Sequence, residues 1–339
     1  MSESTETDNK WMARAISNAV NARLISPPNP WVGTVLVSLD DKSFDGWTQE
    51  VGNEHAEIMS INASGGQAEG GTLYTTLEPC SHTGNTSPCV EAIISANIGR
   101  VVVGIRDPDP LVNGNGIAQL EAAGIRVDVG IHQGQIEDQL RPYLHHRMTG
   151  RPFVVVKVAA SLDGAIAAPD KTSKWITGHE ARSEAHRLRA YSDAICVGAG
   201  TVRVDNPKLT VRDWAPENGL LAVKDPIRIV LGSAPPDAAI HPCIEYTSGI
   251  NELLDELGGD GVIQLLVEGG SNVLKQFHDL GVVNQYEIFF APALFGGNDA
   301  QPIFSGKAAD SVSDIWRGRI TEVKHFGGDI KVTIIPEDD

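Results

Sequence analysis

The chain is poor in cysteine: four in 339 residues do not make a disulfide framework. It is also poor in positive charge, with 27 Lys and Arg against 44 Asp and Glu and a formal net charge of -17. That balance excludes a protein that grips a phosphate backbone over a wide surface, so no nucleic-acid partner is expected. There is no apolar run long enough to cross a bilayer, which excludes a helical membrane span. The opening MSESTETDNK lacks the basic-then-apolar order of a signal peptide, and a reducing cytoplasm is the expected setting. Internal repeats and low-complexity segments are missing as well. What remains is a globular composition, 41% hydrophobic, long enough for two ordinary domains.

The chemistry is concentrated first in His55-Ala56-Glu57, Pro79-Cys80 and Pro88-Cys89. One imidazole and two thiols supply three zinc ligands and leave a fourth tetrahedral position for water. The metal lowers the pKa of that water from about 15.7 to about 7. Glu57, two residues from the His, is the expected proton shuttle and not a ligand. The order matches the zinc deaminase signature, except that eight residues separate the two cysteines here where that signature has two. A purely structural zinc site is the competing reading, with His82 as fourth ligand, but it leaves Glu57 without a purpose.

Periodicity organises the rest. Residues 1–8 read as a disordered tail and 11–24 as a helix, stopped by Pro27-Pro28-Asn29-Pro30. A strand at 34–37, a polar turn, a helix at 54–63 and a strand at 71–77 follow. A helix at 90–97, a strand at 101–105, a helix at 116–123 and a strand at 125–129 complete an alternating α/β series. Both ends of the zinc motif fall at helix N-termini, which favours thiolate. After a helix over 135–147, with His145-His146 on a solvated face, the boundary falls at Thr149-Gly150-Arg151-Pro152. The expected domains are thus 9–148 and 149–339. The second series has apolar runs at 153–160, 195–197, 227–231, 263–267 and 287–290. It closes with a hairpin, 319–326 and 330–335, turning at Gly327-Gly328. Cys196 reads as core. Glu268-Gly269-Gly270-Ser271 is strand, glycines, then helix, a place where phosphate can approach backbone donors. Gly198-Ala199-Gly200-Thr201 also follows a buried strand but lacks the third glycine and the acidic residue of a Rossmann fingerprint.

The two halves together resemble one family, the bifunctional deaminase–reductases of riboflavin biosynthesis. The resemblance rests on Asn29-Pro30-Trp31-Val32-Gly33, His55-Ala56-Glu57, and Thr76-Leu77-Glu78-Pro79-Cys80-Ser81-His82 with Pro88-Cys89. In the second half it rests on Lys157 with Ala160-Ser161-Leu162-Asp163-Gly164, Ser173-Lys174-Trp175-Ile176-Thr177 and Leu188-Arg189-Ala190. Val197-Gly198-Ala199-Gly200-Thr201-Val202 running into Asp205-Asn206-Pro207-Lys208-Leu209-Thr210-Val211-Arg212 is the most telling stretch. The eight-residue cysteine spacing is the usual one in that family.

The resemblance implies a cytidine-deaminase-like three-layer α/β/α domain followed by a dihydrofolate-reductase-like α/β domain. It implies zinc-dependent deamination of a diaminopyrimidinone carrying a phosphoribosylamino arm, then NADPH-dependent reduction of the ribosyl group to ribityl. One zinc per chain is expected, on His55, Cys80 and Cys89 with Glu57 catalytic; Asn29 and His82 would hold the pyrimidine. NADPH contacts would fall on Ala159, Trp175, Thr201, Asp205, Ser233 and Gly270. Substrate contacts in the reductase would fall on Ser173, Arg189, Leu209, Arg212 and Glu268. A homo-oligomer, dimer or tetramer, is expected, with no membrane partner. Several positions depart from the family: Thr48 where His is common, Asn85 where a basic residue is common, Ser87 for Pro and Asp109 for Asn. They touch substrate contacts and leave the metal set intact, so the alternative is a reductase beside a metal-stabilised but weakly active or inactive deaminase. The segment 234–261 is short, predicting a trimmed sheet edge.

Overall fold

A computed structural model describes residues 3–81, 87–109, 112–216, 219 and 224–337. The chain divides into two compact units, Met1–Gly150 and Arg151–Asp339.

In the first unit the order is α1 (Glu3–Ala22), β1 (Gly33–Val37), β2 (Ser43–Trp47), α2 (Ala56–Ala63), β3 (Thr72–Leu77), α3 (Cys89–Ser95), β4 (Arg100–Ile105), α4 (Asn115–Ala122), β5 (Arg126–Val129) and α5 (Gln133–Thr149). The sheet order is β2-β1-β3-β4-β5, with β1 antiparallel to both neighbours and the β3-β4-β5 pairs parallel. Alternation along each strand assigns the layers. Leu36, Leu73, Val101 and Val103 pack against Val90 and Ile93 of α3 and Ile117 and Leu120 of α4. On the other face lie α1 and α5, joined where the Gln139 amide donates to the Ile16 carbonyl and the Trp31 indole to the Gln139 carbonyl. Gly33 sits where a Cβ would meet the Ala15 carbonyl oxygen at 2.0 Å, so only glycine lets β1 lie this close to α1.

Three expectations change here. Residues 3–8 are helical, not a disordered tail, because Asp8 is buried and anchors the helix: Arg100 donates to both its oxygens at 2.7 and 2.8 Å and Tyr74 Oη at 2.9 Å. Residues 43–47, read as part of a polar turn, form β2; the polar Asp45 that hid the strand accepts from Arg14 and Asn18 of α1. His146 is buried, because α5 turns Ile136, Leu140, Tyr143 and His146 inward at helical spacing.

The second unit contains β6 (Phe153–Ser161), β7 (Ala165–Ala167), α6 (His179–Ala190), β8 (Ala194–Gly198), α7 (Ala199–Asp205), β9 (Ile227–Leu231), β10 (Ile244–Tyr246), α8 (Ile250–Gly259), β11 (Gln264–Val267), α9 (Ser271–Asp279), β12 (Gln285–Ala291), β13 (Gln301–Pro302), β14 (Gly318–Phe326) and β15 (Asp329–Pro336). Eight strands run β10-β9-β8-β11-β6-β12-β15-β14, parallel as far as β12 and antiparallel in the closing hairpin. Valines alternate along β6: Val154, Val156 and Val158 face α8 and α9, while Phe153 and Val155 face α6 and α7. Cys196 is fully buried in β8. Where the short segment 234–261 predicts a trimmed edge, β10 is an edge strand of three residues. No helix among the described residues is long and apolar enough to cross a membrane.

Candidate active sites

In the first unit, β3 ends at Leu77 and delivers Glu78-Pro79-Cys80 to the edge of a small cavity; His55 stands at the N-terminus of α2 and Cys89 opens α3. His55 Nδ1 lies 3.2 Å from Cys89 Sγ and 3.6 Å from Cys80 Sγ. All three donor atoms are within 4.8 Å of one another. Tetrahedral zinc with bonds of about 2.0–2.3 Å needs ligand-to-ligand edges of roughly 3.3–3.8 Å, so the donors fit that ion. The backbone N–H of Cys89 points at Cys80 Sγ, 3.3 Å away. The Cys80 thiol is pulled down to about 4, first by the hydrogen bond from the Cys89 thiol. That same bond, with burial, pushes Cys89 up.

Glu57 sits in the first turn of α2, 4% exposed. Burial pushes its carboxyl up to about 6, the range in which a carboxyl can both take and give a proton near neutrality. The cavity measures about 170 Å³ and is lined by Asn29, Thr48, His55, Glu57 and Cys80, with Asp107, Tyr143 and Arg147 closing it. Thr48 is buried and its hydroxyl accepts from the Val32 N–H at 3.2 Å, so it serves the backbone. Asp107 accepts from Tyr143 Oη at 3.1 Å and from the Asp109 N–H at 2.9 Å. His82 and Asn85 lie outside the described residues.

Glu78 had no role in the sequence reading beyond its place in the motif. Its carboxylate accepts four backbone N–H groups, from Gly114 and Gly116 at 3.0 Å, Ile117 at 3.2 Å and Asp107 at 3.3 Å. One buried carboxylate thereby fixes the loop before Cys80 to the N-terminus of α4 and to the cavity wall. Gly116 is needed for this approach, since a Cβ there would meet the Pro79 carbonyl oxygen at 2.1 Å. The glycine-rich Asn113-Gly114-Asn115-Gly116 is the only sequence signal that could have pointed to it.

In the second unit a cleft of about 1080 Å³ opens at the C-terminal ends of β6, β8 and β11. This is where ligands bind open α/β sheets, and its size is at the upper end of known ligand pockets. Ala159, Ser173, Trp175, Arg189, Thr201, Asp205, Leu209, Arg212, Glu268 and Gly270 all line it, and Lys157 joins them. Ser233 does not line it; it follows the end of β9. Gly270 caps α9, and a Cβ there would stand 3.6 Å from Thr201 Oγ1, filling the floor of the cleft in front of that helix's free N–H groups. Trp175 is 72% exposed with the Arg182 guanidinium 4.5 Å over its ring, so it is a wall of the cleft and not core.

Glu268 is paired with two cations. Arg189 grips it with two bonds, 2.7 and 3.0 Å, and Lys157 Nζ stands 3.7 Å away. These cations overcome its burial and hold the carboxyl down near 2, Arg189 contributing most. The charge of Arg189 is therefore committed to Glu268, leaving Arg212 as the more open guanidinium. The Arg212 backbone N–H donates to His186 Nδ1 at 3.3 Å, and burial pushes that imidazole down to about 4, keeping it a neutral acceptor. Asn206, Leu209 and Asp213 all adopt positive φ, at 44°, 53° and 55°. Left-handed backbone at a buried leucine is the kind of local strain that binding loops retain. Asp163 lies outside the cleft and accepts from the Gly296 N–H at 2.9 Å, tying two loops together.

Comparison with known proteins covers both units. Residues 5–105 match the cytidine and deoxycytidylate deaminase zinc-binding region, and residues 152–332 match the RibD C-terminal domain. The riboflavin biosynthesis protein RibD of Bacillus amyloliquefaciens is 37% identical over 97% of this chain and 96% of its own length. That of Escherichia coli K12 is 32% identical over 97% and 99%. Among solved structures, Acinetobacter baumannii RibD superposes with a TM-score of 0.92 at 33% identity, covering 98% of this chain and all of that one. The diaminohydroxyphosphoribosylaminopyrimidine deaminase/5-amino-6-(5-phosphoribosylamino)uracil reductase of Thermotoga maritima gives 0.87 at 31% over the same shares. A cytidine-deaminase-like α/β unit that assembles zinc donors, joined to a reductase unit with a cofactor-sized cleft, places this chain in the bifunctional deaminase–reductase family of riboflavin biosynthesis, a zinc hydrolase and an NADPH-dependent oxidoreductase in one polypeptide.

Proposed function

We propose that the first unit deaminates 2,5-diamino-6-(5-phosphoribosylamino)pyrimidin-4(3H)-one and that the second reduces the product's ribosyl group to ribityl, giving 5-amino-6-(5-phosphoribitylamino)uracil. The observation that carries the first step is the convergence of His55, Cys80 and Cys89 beside a buried Glu57. One zinc per chain would be held by those three donors; when bound, it acidifies a water for attack on the ring carbon that bears the amine. Glu57 would take one proton of that water and pass it to the adjacent ring nitrogen, then carry the remaining hydroxyl proton to the amine, so that the C–N bond breaks, ammonia leaves and the carbonyl forms. Asn29 and His82 hold the pyrimidine, and the Glu78 clamp keeps the opposite wall of the cavity in register.

In the second unit NADPH supplies a hydride to the sugar. Thr201, Asp205, Ala159, Trp175 and the Gly270 turn would hold the dinucleotide, with α9 offering its N-terminal N–H groups to phosphate. Ser173, Leu209, Arg212 and the Arg189–Glu268 pair position the sugar arm. Hydride transfer needs chiefly the alignment of two carbons, which accounts for the lack of an obvious acid–base dyad among these residues. A reductase beside an inert deaminase domain has no observation in its favour, since the donors and Glu57 are all in place.

The two sites are separable by experiment. Chelating the metal should abolish ammonia release from the diaminopyrimidinone while the deaminated compound still oxidises NADPH. Ammonia release that persists after metal analysis shows the zinc gone would overturn the metal assignment.

A further inference from the structure

The deaminase cavity has a charge problem. Its described lining includes four carboxylates, Glu57, Glu78, Asp107 and Asp109, and one Lys or Arg, which is Arg147. The segment from Pro79 to Cys89 that carries both cysteine ligands contains no Lys or Arg in its sequence. A dianionic phosphate brought to this wall of an acidic protein therefore needs a cation from elsewhere.

Arg147 is placed and underused. It projects from the last turn of α5, its guanidinium 4.9 Å over the Tyr143 ring. Its polar contacts are all long: 3.3 Å to the Pro28 carbonyl, 3.4 Å to His146 Nδ1 and 3.6 Å to Asp109 Oδ2. Charge-assisted bonds run at about 2.7–2.9 Å, and Arg189 reaches 2.7 Å on Glu268. Arg147 Nε is buried and makes no hydrogen bond, its nearest acceptor being Asp109 Oδ2 at 3.6 Å. A guanidinium held only by such long contacts gains when shorter charge-assisted bonds replace them. The carboxylates around it are otherwise engaged: Glu78 by four N–H groups, Asp107 by Tyr143 and the Asp109 N–H.

We infer that Arg147 is the specificity-determining cation of the deaminase site and binds the phosphate on the substrate's phosphoribosyl arm. Asp109, which departs from the family's usual Asn, holds the guanidinium near the mouth of the cavity until substrate arrives. The inference rests on the substrate proposed above.

The test is a ratio. Ammonia release is measured with the phosphorylated diaminopyrimidinone and with the same compound lacking its phosphate, in wild type, Arg147→Met and Arg147→Lys. Wild type should favour the phosphorylated form in kcat/KM by about 10- to 100-fold, the value of one or two charge-assisted hydrogen bonds. Arg147→Met should bring that ratio close to one, chiefly through KM, and Arg147→Lys should restore part of it. Because it is a ratio, partial misfolding of a variant cancels. An unchanged ratio in Arg147→Met, or no discrimination by wild type, would overturn the assignment while leaving the deaminase reading intact. No ammonia from either compound with wild-type enzyme would overturn both.

Discussion

Glu57→Gln should lower ammonia release by about 100- to 10,000-fold, the range for removing a positioned proton carrier, while NADPH oxidation with the deaminated compound is retained. Gln is nearly isosteric with Glu, so the fold and the metal donors should persist. Metal content measured alongside should match wild type, because Glu57 is not one of the three converging donors. Its burial at 4% exposure, beside the donors, makes the prediction sharp. A solvent-facing Glu could be replaced by water, but a buried one has no such substitute. Equal ammonia rates in variant and wild type would remove Glu57 from the mechanism.

Glu268→Gln should damage the other unit by a different route. Arg189 and Lys157 would lose their shared carboxylate inside the cleft, and breaking a buried pair on one side costs about 3–5 kcal/mol. Denaturant unfolding of the reductase unit should report a loss of that order at neutral pH, together with a fall in NADPH-dependent turnover and preserved ammonia release. The sign with pH follows from the depressed carboxyl, near 2 in the folded protein against about 4.3 unfolded. The ion pair contributes fully above the unfolded value and fades as pH falls toward the folded one. The gap between wild type and variant should therefore narrow on acidification below about pH 4. A stability difference that stays constant down to pH 2–3 would mean that Glu268 matters by shape and not by charge.

How much of this was legible in the sequence follows from how far apart the interacting residues lie. The metal donors and Glu57 were legible because residue chemistry and short spacing identify them. The apolar runs of β6, β8, β9, β11 and β12 and the closing hairpin at Gly327-Gly328 were legible from period and turn residues. By contrast, β2 was hidden because its sequence, Ser-Phe-Asp-Gly-Trp, pairs its polar members with Arg14 and Asn18 of a distant helix. Asp8 made the start of α1 look like a tail, since nothing local announces Arg100 as its partner. The grip of Arg189 on Glu268 spans 79 positions, and the loop bonds of Glu78 reach 29 to 39 positions ahead. No periodicity encodes such pairs. His146 shows the same limit for a single residue: a histidine expected on a solvated face is inside.

The central claim is that one chain carries both half-reactions on its own two sites. The most direct measurement follows ammonia and oxidised NADPH together, from the diaminopyrimidinone, with wild-type protein and NADPH as the only additions. Equal molar yields, with ammonia appearing no later than NADPH is consumed, are predicted. NADPH consumption without ammonia, or ammonia without NADPH consumption at completion, would contradict it.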